Sequence, residues 1–380
     1  MLGGVIAANL RAAPDPGRIG AVQDAVDGLV GRVDQTLALA ADRFPMAADP
    51  VTGEWTWSAD GGWFGGFWPG LLRLSAVATG HSGYADAATE YGGRLAARTT
   101  APTVLRGFLF WYGAALGVVL GQERGPLADV ASTAARSLCA DFDPVGGVIP
   151  PGTEDAEQYD WPRPGACVDG LPGTIPLLAF AAEHTGDPRL RALAAANARA
   201  HHAMCVRPDG SVAQSATYDD RGALTNQVAI NGSSAGSTWA RAQAWAMLGF
   251  TQAAHRMPEF TDAAVQVADW YLDHVPEDLV CYWDFDDPAI PDAVLDTSAT
   301  AIAASALAKL APLAGERYRK AAEHTLDALL SRHVNDSGAL VDGCYNRVKE
   351  VAISNELVWG NYFLLETALI LAGRADPAEL

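Results

Sequence analysis

The chain is short of charge and of cysteine. Only 19% of its 380 residues are Asp, Glu, Lys or Arg, below the roughly one quarter that is usual. Apolar residues make up 49%, which excludes a disordered chain. Basic residues are scarcer than acidic ones, 26 against 45, giving a formal charge of −19. A nucleic-acid partner needs a basic face, so neither DNA nor RNA is expected to bind. The same deficit means that an anionic ligand must find its own local Arg or amide donors. Cysteines stand at 139, 167, 205, 281 and 344, with no Cys-x-x-Cys pair. Neither a disulfide framework nor a zinc site is indicated, and buried reduced thiols in a cytoplasmic protein are the expectation. No run of about twenty apolar residues occurs, so no membrane span is expected. The opening Met1-Leu2-Gly3-Gly4-Val5-Ile6-Ala7-Ala8 is mildly apolar but has no basic residue before it, a poor fit to a signal peptide.

Several chemical signatures are missing as well. There is no Gly-x-x-x-x-Gly-Lys-Ser/Thr, no helix-opening Gly-x-Gly-x-x-Gly and no His-Glu-x-x-His, so nucleotide and metal chemistry lack their usual supports. His201 and His202 are adjacent and would point to different faces of a helix. No cofactor and no metal are therefore expected. Gly232-Ser233-Ser234-Ala235-Gly236 matches Gly-x-Ser-x-Gly, but it lacks the alternating strands and helices of a nucleophile elbow and reads as a chance match.

What the sequence does have is helical periodicity. At 39.9 kDa about three quarters of the unfolded surface can be buried, so the core needs no disulfide or metal. Apolar residues at three- and four-residue spacing recur over 21–41, 70–79, 84–97, 127–141, 175–184, 188–204, 240–255, 260–274, 297–313, 316–333 and 360–371. One helix per roughly thirty residues gives about twelve helices. Pairing them as antiparallel hairpins predicts an all-α toroid of inner and outer rings, one domain spanning 1–380. Strand signals are thin; 210–213 and 339–341 read as turns with local pairing. Long Gly/Pro/Asp-rich loops cover 47–67, 142–168, 205–237 and 280–296. They carry Trp55, Trp57, Trp63, Trp161 and Trp283, and are read as ordered walls of a binding site.

Three constellations can carry chemistry. Gly62-Trp63-Phe64-Gly65-Gly66-Phe67-Trp68-Pro69-Gly70 runs into an apolar helix. Its indoles offer flat faces for the C–H side of a sugar ring; for Trp68 core packing is the stronger reading, and for Trp63 both readings stand. Ser237-Thr238-Trp239-Ala240-Arg241-Ala242-Gln243-Ala244-Trp245 starts a helix with Arg241 and Trp245 four apart on one face. A guanidinium fork beside an indole suits a carboxylate-bearing ring, and an internal ion pair or cation–π contact fits equally. Asp169 lies among small and apolar residues ahead of Ile175-Pro176-Leu177-Leu178. Burial there would raise its pKa into the range of a general acid/base; a helix-start Asp satisfying backbone amides is the plainer reading.

Taken in order, these stretches resemble the unsaturated glucuronyl hydrolases. The resemblance is carried by Trp63-Phe64-Gly65-Gly66-Phe67-Trp68-Pro69-Gly70, Val168-Asp169-Gly170, Thr185-Gly186-Asp187-Pro188, Val206-Arg207-Pro208-Asp209-Gly210-Ser211 and Trp239-Ala240-Arg241-Ala242-Gln243-Ala244-Trp245. Asp296-Thr297-Ser298-Ala299 and Gly360-Asn361-Tyr362-Phe363 extend it to about residues 44–371. It implies an (α/α)6 barrel, agreeing with the helix count. It also implies an enzyme that hydrates the C4=C5 enol ether of an unsaturated uronic acid, after which the hemiketal opens and releases the neighbouring sugar. Asp169 matches the family's general acid/base, Arg241 and Trp245 the residues that hold the ring, and Trp63 the indole at the site. No metal or organic cofactor is implied.

The sequence also departs from that family. A second Asp, in a His-Asp-x-Gly-Phe stretch, is usual there; here Val104-Leu105-Arg106-Gly107-Phe108 puts Leu105 in its place. Asn231 replaces a Gln, Ala242 a Gly and Asn361 an Asp. Without the neighbouring carboxylate, repulsion no longer raises the Asp169 pKa. Arg106, if it points inward, would lower that pKa and bind substrate charge. Glu154 and Asp160 are the other carboxylates of the preceding loop, and neither is assigned the missing role. The substrate-binding set is Trp63, Trp161, Asn231, Arg241, Trp245 and Arg106, around a small unsaturated sugar acid, glycoside or related ring. Two other readings are a hydratase, dehydratase or isomerase on the same barrel, in a secondary-metabolite pathway, and a catalytically inactive sugar-binding homologue.

Overall fold

The computed structural model describes residues 16–123, 125–155, 161 and 163–380. The opening stretch Met1–Ala8 and Asp160 lie outside the described residues. Twelve helices of at least twelve residues occur among those described: α1 (Pro16–Ala40), α2 (Phe67–Thr79), α3 (Ser82–Arg94), α4 (Arg106–Val119), α5 (Leu127–Ala140), α6 (Thr174–Thr185), α7 (Pro188–Cys205), α8 (Ala240–Arg256), α9 (Thr261–His274), α10 (Thr297–Ala314), α11 (Glu316–Arg332) and α12 (Val358–Leu371). The even-numbered helices form a closed inner ring in which α2 packs on α4, then α6, α8, α10 and α12 in turn, and α12 returns to α2. The odd-numbered helices lie outside them. This is the (α/α)6 barrel.

Burial shows why the sequence sorts helices into two rings. On α11 the buried positions are Tyr318, Ala322, Thr325, Leu326 and Leu329, one stripe at helical spacing. On α8 every residue from Ala240 to Ala254 is buried, and on α12 every residue from Val358 to Ile370. Inner helices touch neighbours all round, so they carry apolar and small residues on every face. One of them, α10, is long and apolar enough to cross a membrane by length and composition, but 78% of that stretch is buried inside the fold. It is the core helix between α8, α11 and α12.

The expectation for segment 106–119 differs from the structure. The eleven periodic stretches do not include it, yet α4 is an inner helix, interrupted by a π-helical turn at Trp111–Ala115. It is apolar all round and lacks a polar face to set the period. Close approach of α4 and α6 depends on glycine. A Cβ on Gly107 would lie 2.3 Å from Thr174 Oγ1 and 2.4 Å from Thr174 N.

The chain also contains more strand than expected. β1 (Phe44–Ala48), β2 (Trp55–Ser58) and β6 (Glu356–Leu357) make one antiparallel sheet in the order β2-β1-β6. β3 (Gly165–Cys167), β4 (Ser215–Tyr218) and β5 (Leu224–Val228) make another. The second sheet is built from the long loops 142–168 and 205–237, whereas the first takes only β2 wholly from 47–67 and recruits β6 from the segment just before α12. The turns expected at 210–213 and 339–341 do pair locally, through Val206 with Val212 and Val334 with Leu340. The sheet containing β6 joins the first hairpin to the last inner helix. Beside it the buried Arg32 side chain donates to Glu356 at 2.7 Å.

Candidate active site

The inner helices begin at one end of the barrel, and the cavity lies over those beginnings. Its walls are Trp63, Leu105, Phe108, Trp161, Asp169, Asn231, Trp239, Arg241, Trp245, Tyr345 and Asn346. These come from the approach to α2, the start of α4, the segment before β3, the turn before α6, the segment after β5, the start of α8 and the hairpin before α12. The cleft encloses about 360 Å³ of space when its open mouth is included. Loops that look irregular in sequence therefore form its walls, though unevenly. Trp63 and Trp161 reach the cavity. Trp55 and Trp57 instead sit on β2 under Arg32 and Arg43, and Trp283 donates to Asp287.

Asp169 sits on a short 3-10 turn, Val168–Gly170, between β3 and α6. It does not cap the helix, since the residue before α6 is Gly173. Pairing of Cys167 with Ser215 brings Gln214 alongside, and Val168 N donates to Gln214 O at 3.0 Å. Gln214 Nε2 then donates to Asp169 Oδ2 at 3.0 Å. The other oxygen, Oδ1, is buried with no hydrogen-bond partner among the described residues. Burial pushes the Asp169 pKa up to about 7; the Gln214 hydrogen bond and the Arg241 charge pull it down, and the charge of Asp155 pushes it up. Gly170 permits a close approach here, because a Cβ on it would meet Val104 Cγ2 at 2.5 Å. That approach sets Leu105 beside the acid.

The sequence reading expects Arg106 inside the site, and the structure corrects this. Arg106 is buried, but its guanidinium runs away from the cavity. It donates to Thr103 O at 2.9 Å, to Ser137 Oγ and to Asp141. It is absent from the cavity walls among the described residues. Leu105, just ahead of α4, lines the cavity, while Arg106, the first residue of the helix, leaves on another side. Glu154 is bound to Arg98 at 2.6 Å. Among the described lining residues Asp169 is the only carboxylate.

Arg241 and Trp245 both line the cavity, as their spacing predicts. The guanidinium, however, is largely engaged. Nη1 donates to Asp296 Oδ2 at 2.7 Å and to Cys344 O at 2.6 Å, and Nη2 donates to Tyr345 O. An end-on fork for a ligand carboxylate is therefore occupied by protein acceptors. The indoles over which Arg241 lies are Trp239, at 4.5 Å, and Trp359, at 5.7 Å, rather than Trp245. Trp245 packs on Phe108 at 4.8 Å and stacks with Phe67. Trp63 lies 4.9 Å from Trp359 and stacks with Tyr345 at 6.3 Å. Trp68 is core, edge-on to Tyr91.

Asn231 lies in the cavity wall and is joined to its neighbours. Its backbone N donates to Gln214 Oε1 at 2.9 Å, and its side-chain oxygen accepts from Asn346 Nδ2 at 3.2 Å. Asp296 caps α10 through Ser298 N and Ala299 N while pairing with Arg241. Sequence reasoning missed Gln214, Phe108, Trp239, Tyr345 and Asn346. Tyr345 and Asn346 lie in a hairpin closed by Gly343–Asn355 and Asn346–Val351 pairing, and no short motif marks it. Trp239 was visible in the quoted stretch without a role. Ser233 of the Gly-x-Ser-x-Gly match bonds Asp284, and His201 bonds the carbonyls of Asn197 and Cys167.

Comparison with known proteins follows the same outline. The sequence model described as Glycosyl Hydrolase Family 88 matches residues 130–363. An unsaturated glucuronyl hydrolase of Bacillus sp. (strain GL1) is 29% identical over 370 residues, covering 92% of this chain and 96% of the relative. An unsaturated chondroitin disaccharide hydrolase of Streptococcus pyogenes serotype M1 is 29% identical over 255 residues, 63% of each chain. The crystal structure of unsaturated glucuronyl hydrolase from Bacillus sp. GL1, described as responsible for the degradation of glycosaminoglycan, superposes with a TM-score of 0.84 at 27% identity, covering 92% of this chain and 96% of that one.

Proposed function

Because the chain belongs to glycosyl hydrolase family 88, a family whose relatives act on unsaturated sugar acids, we propose that it hydrates the enol-ether C=C bond of such a substrate, with Asp169 as general acid and base. The observation that carries the reading is that Asp169 lines the cavity while its Oδ1 is buried with no hydrogen-bond partner among the described residues. With a pKa of about 7 the group is half-protonated near neutrality, the range in which one carboxyl can both give and take a proton.

The steps balance with that one group. The O–H bond of Asp169 breaks and a C–H bond forms at C4, leaving positive charge shared by C5 and the ring oxygen. Water attacks C5, and its proton passes to the Asp169 carboxylate, restoring the acid. The hemiketal so formed opens and releases the attached group. Trp63, Trp161 and Trp245 supply apolar faces for the ring. Asn231 and Asn346 present amides to its polar edge. Arg241, its charge balanced by Asp296, holds the Cys344 and Tyr345 carbonyls and lends a positive field. The starts of the inner helices add amide dipoles of the same sign. These local features allow an anionic ligand to bind a protein of net charge −19.

One observation favours a second reading. Leu105 places an apolar side chain in the cavity, and Asp169 is the single carboxylate among the described walls. A lone acid/base suits an isomerase or dehydratase equally well. The test is incubation with lyase-generated unsaturated disaccharides. Loss of the enol-ether absorbance with release of the second sugar supports hydration; conversion with the unsaturation retained supports the alternative. Asp169→Asn should lower turnover by about 10²–10⁴-fold with an unchanged circular-dichroism spectrum. Full activity in that variant removes the assignment.

A further inference from the structure

Among the described residues, one side chain is hydrogen-bonded to the Asp169 carboxyl, that of Gln214 on Oδ2, and the identity of that partner decides where the proton sits. We propose that Gln214 is a positioning residue, which holds Asp169 Oδ2 as a hydrogen-bond acceptor so that the exchangeable proton resides on Oδ1. The inference rests on the reading of Asp169 as the acid and deepens it.

The geometry fixes the direction of every bond in the chain. Gln214 is fully buried, and its Oε1 accepts from the backbone N–H of Asn231 at 2.9 Å. A backbone N–H can only donate, so that end of the amide must be the oxygen. The NH2 end therefore faces Asp169, at 3.0 Å from Oδ2. An NH2 group cannot accept, so a proton on Oδ2 would clash with it. The proton is left to Oδ1, the oxygen with no hydrogen-bond partner among the described residues. Asn231 carries this ordering outward, because its own side chain, paired with Asn346, lines the cavity. A ligand that shifts the Asn231–Asn346 pair thus acts on the acid through one amide.

The other charged and titratable groups around Asp169 are few. Arg241 faces it from α8 and Asp155 from the loop before β3. The thiols of Cys167, on β3, and Cys205, at the end of α7, lie close by and are pushed up by burial. Asp296 stands behind Arg241. Among the described residues, Gln214, which carries no charge, is the one hydrogen-bonded to the carboxyl through its side chain.

The experiment titrates the Asp169 carboxyl in the ligand-free protein by infrared difference spectroscopy, with Asp169→Asn identifying the band. Gln214→Leu removes the donor and should raise the Asp169 pKa by about one unit, with the basic limb of kcat/KM moving by the same amount. Gln214→Glu keeps the shape and the acceptor for Asn231 N–H but sets a second carboxyl against Asp169, which should raise the pKa further. It serves also if the Leu variant fails to fold. An Asp169 pKa unchanged in the folded variants overturns the inference and leaves the functional reading standing. A shifted pKa together with full hydrolysis by Asp169→Asn overturns the functional reading and leaves Gln214 as the residue that orders this carboxyl.

Discussion

Asp169 is costly to the folded protein. Its pKa rises from 3.8 to about 7 on folding, chiefly through burial. The folded state therefore binds the proton more tightly than the unfolded state. Stability from this group is fully present below pH of about 4 and is lost as pH rises towards about 7, after which it changes no further. Asp169→Asn should then raise the melting temperature at pH 8 and lose that advantage at pH 4, measured by calorimetry at both values. A variant that is less stable than the parent at pH 8 would show that the carboxylate is held by bonds rather than stranded by burial. Arg106 gives the opposite case. Its partners are Thr103 O, Ser137 and Asp141, none in the cavity wall, so Arg106→Met should cost about 1–3 kcal/mol of stability while KM stays constant. These two residues show what can be read from a sequence at this scale. Asp169 was legible through the family resemblance, since its small and apolar surroundings allow burial but left a helix-start cap as the plainer reading. Arg106 was misplaced because proximity along the chain to Leu105 says nothing of the face on which a side chain leaves the helix. Gln214 was not legible at all: it stands 45 residues from Asp169, and only strand pairing brings them together.

Elements were legible where they form one long uninterrupted helix, whether it meets water or not. Outer helices such as α11 show one apolar stripe and were read with nearly their observed bounds. Inner helices such as α10 and α12 were found because they are long apolar runs. α4 was missed, because a π-helical turn interrupts an already uniform apolar segment and glycines stand at 107, 113 and 117. Strands of two to five residues were hidden inside loops, since such lengths carry no measurable alternation. The crossing of α4 and α6 is where element geometry governs the site. Gly107 packs on Thr174, and Gly173, with φ +72°, turns the chain into α6 just after Asp169. An added methyl at Gly107 would meet Thr174 backbone atoms at 2.4 and 2.8 Å. The start of α6 must then move, and Asp169 with it. Gly107→Ala should cost about 1–3 kcal/mol, and in the folded fraction kcat should fall more than KM rises, because a small displacement of the acid harms proton transfer first. Equal changes in the two constants would show that the turn before α6 absorbs the strain.

A closed ring of helices has no natural end, so the molecule must join its first elements to its last. The join is visible in β1 pairing with both β2 and β6, and in Arg32 of α1 reaching the carboxylate of Glu356. Asn361 Nδ2 donates to the same carboxylate at 2.7 Å, so the pair ties α1, β6 and α12 together. Both charges are buried. Breaking such a pair on one side strands the remaining charge, whereas replacing both partners with apolar groups is far cheaper. Arg32→Met should therefore lower stability by about 3–5 kcal/mol, and Arg32→Met with Glu356→Leu should recover most of that loss. β6 runs directly into Val358 and Trp359, and Trp359 backs Trp63 at 4.9 Å, so the closure also supports the cavity wall. If the ring unfolds as one unit, urea transitions followed by tryptophan fluorescence and by far-ultraviolet circular dichroism should coincide in the parent and shift together in Arg32→Met. A separate early transition in the single variant would mean that α1 opens alone, and the join would then be a local clasp rather than the step that completes the barrel.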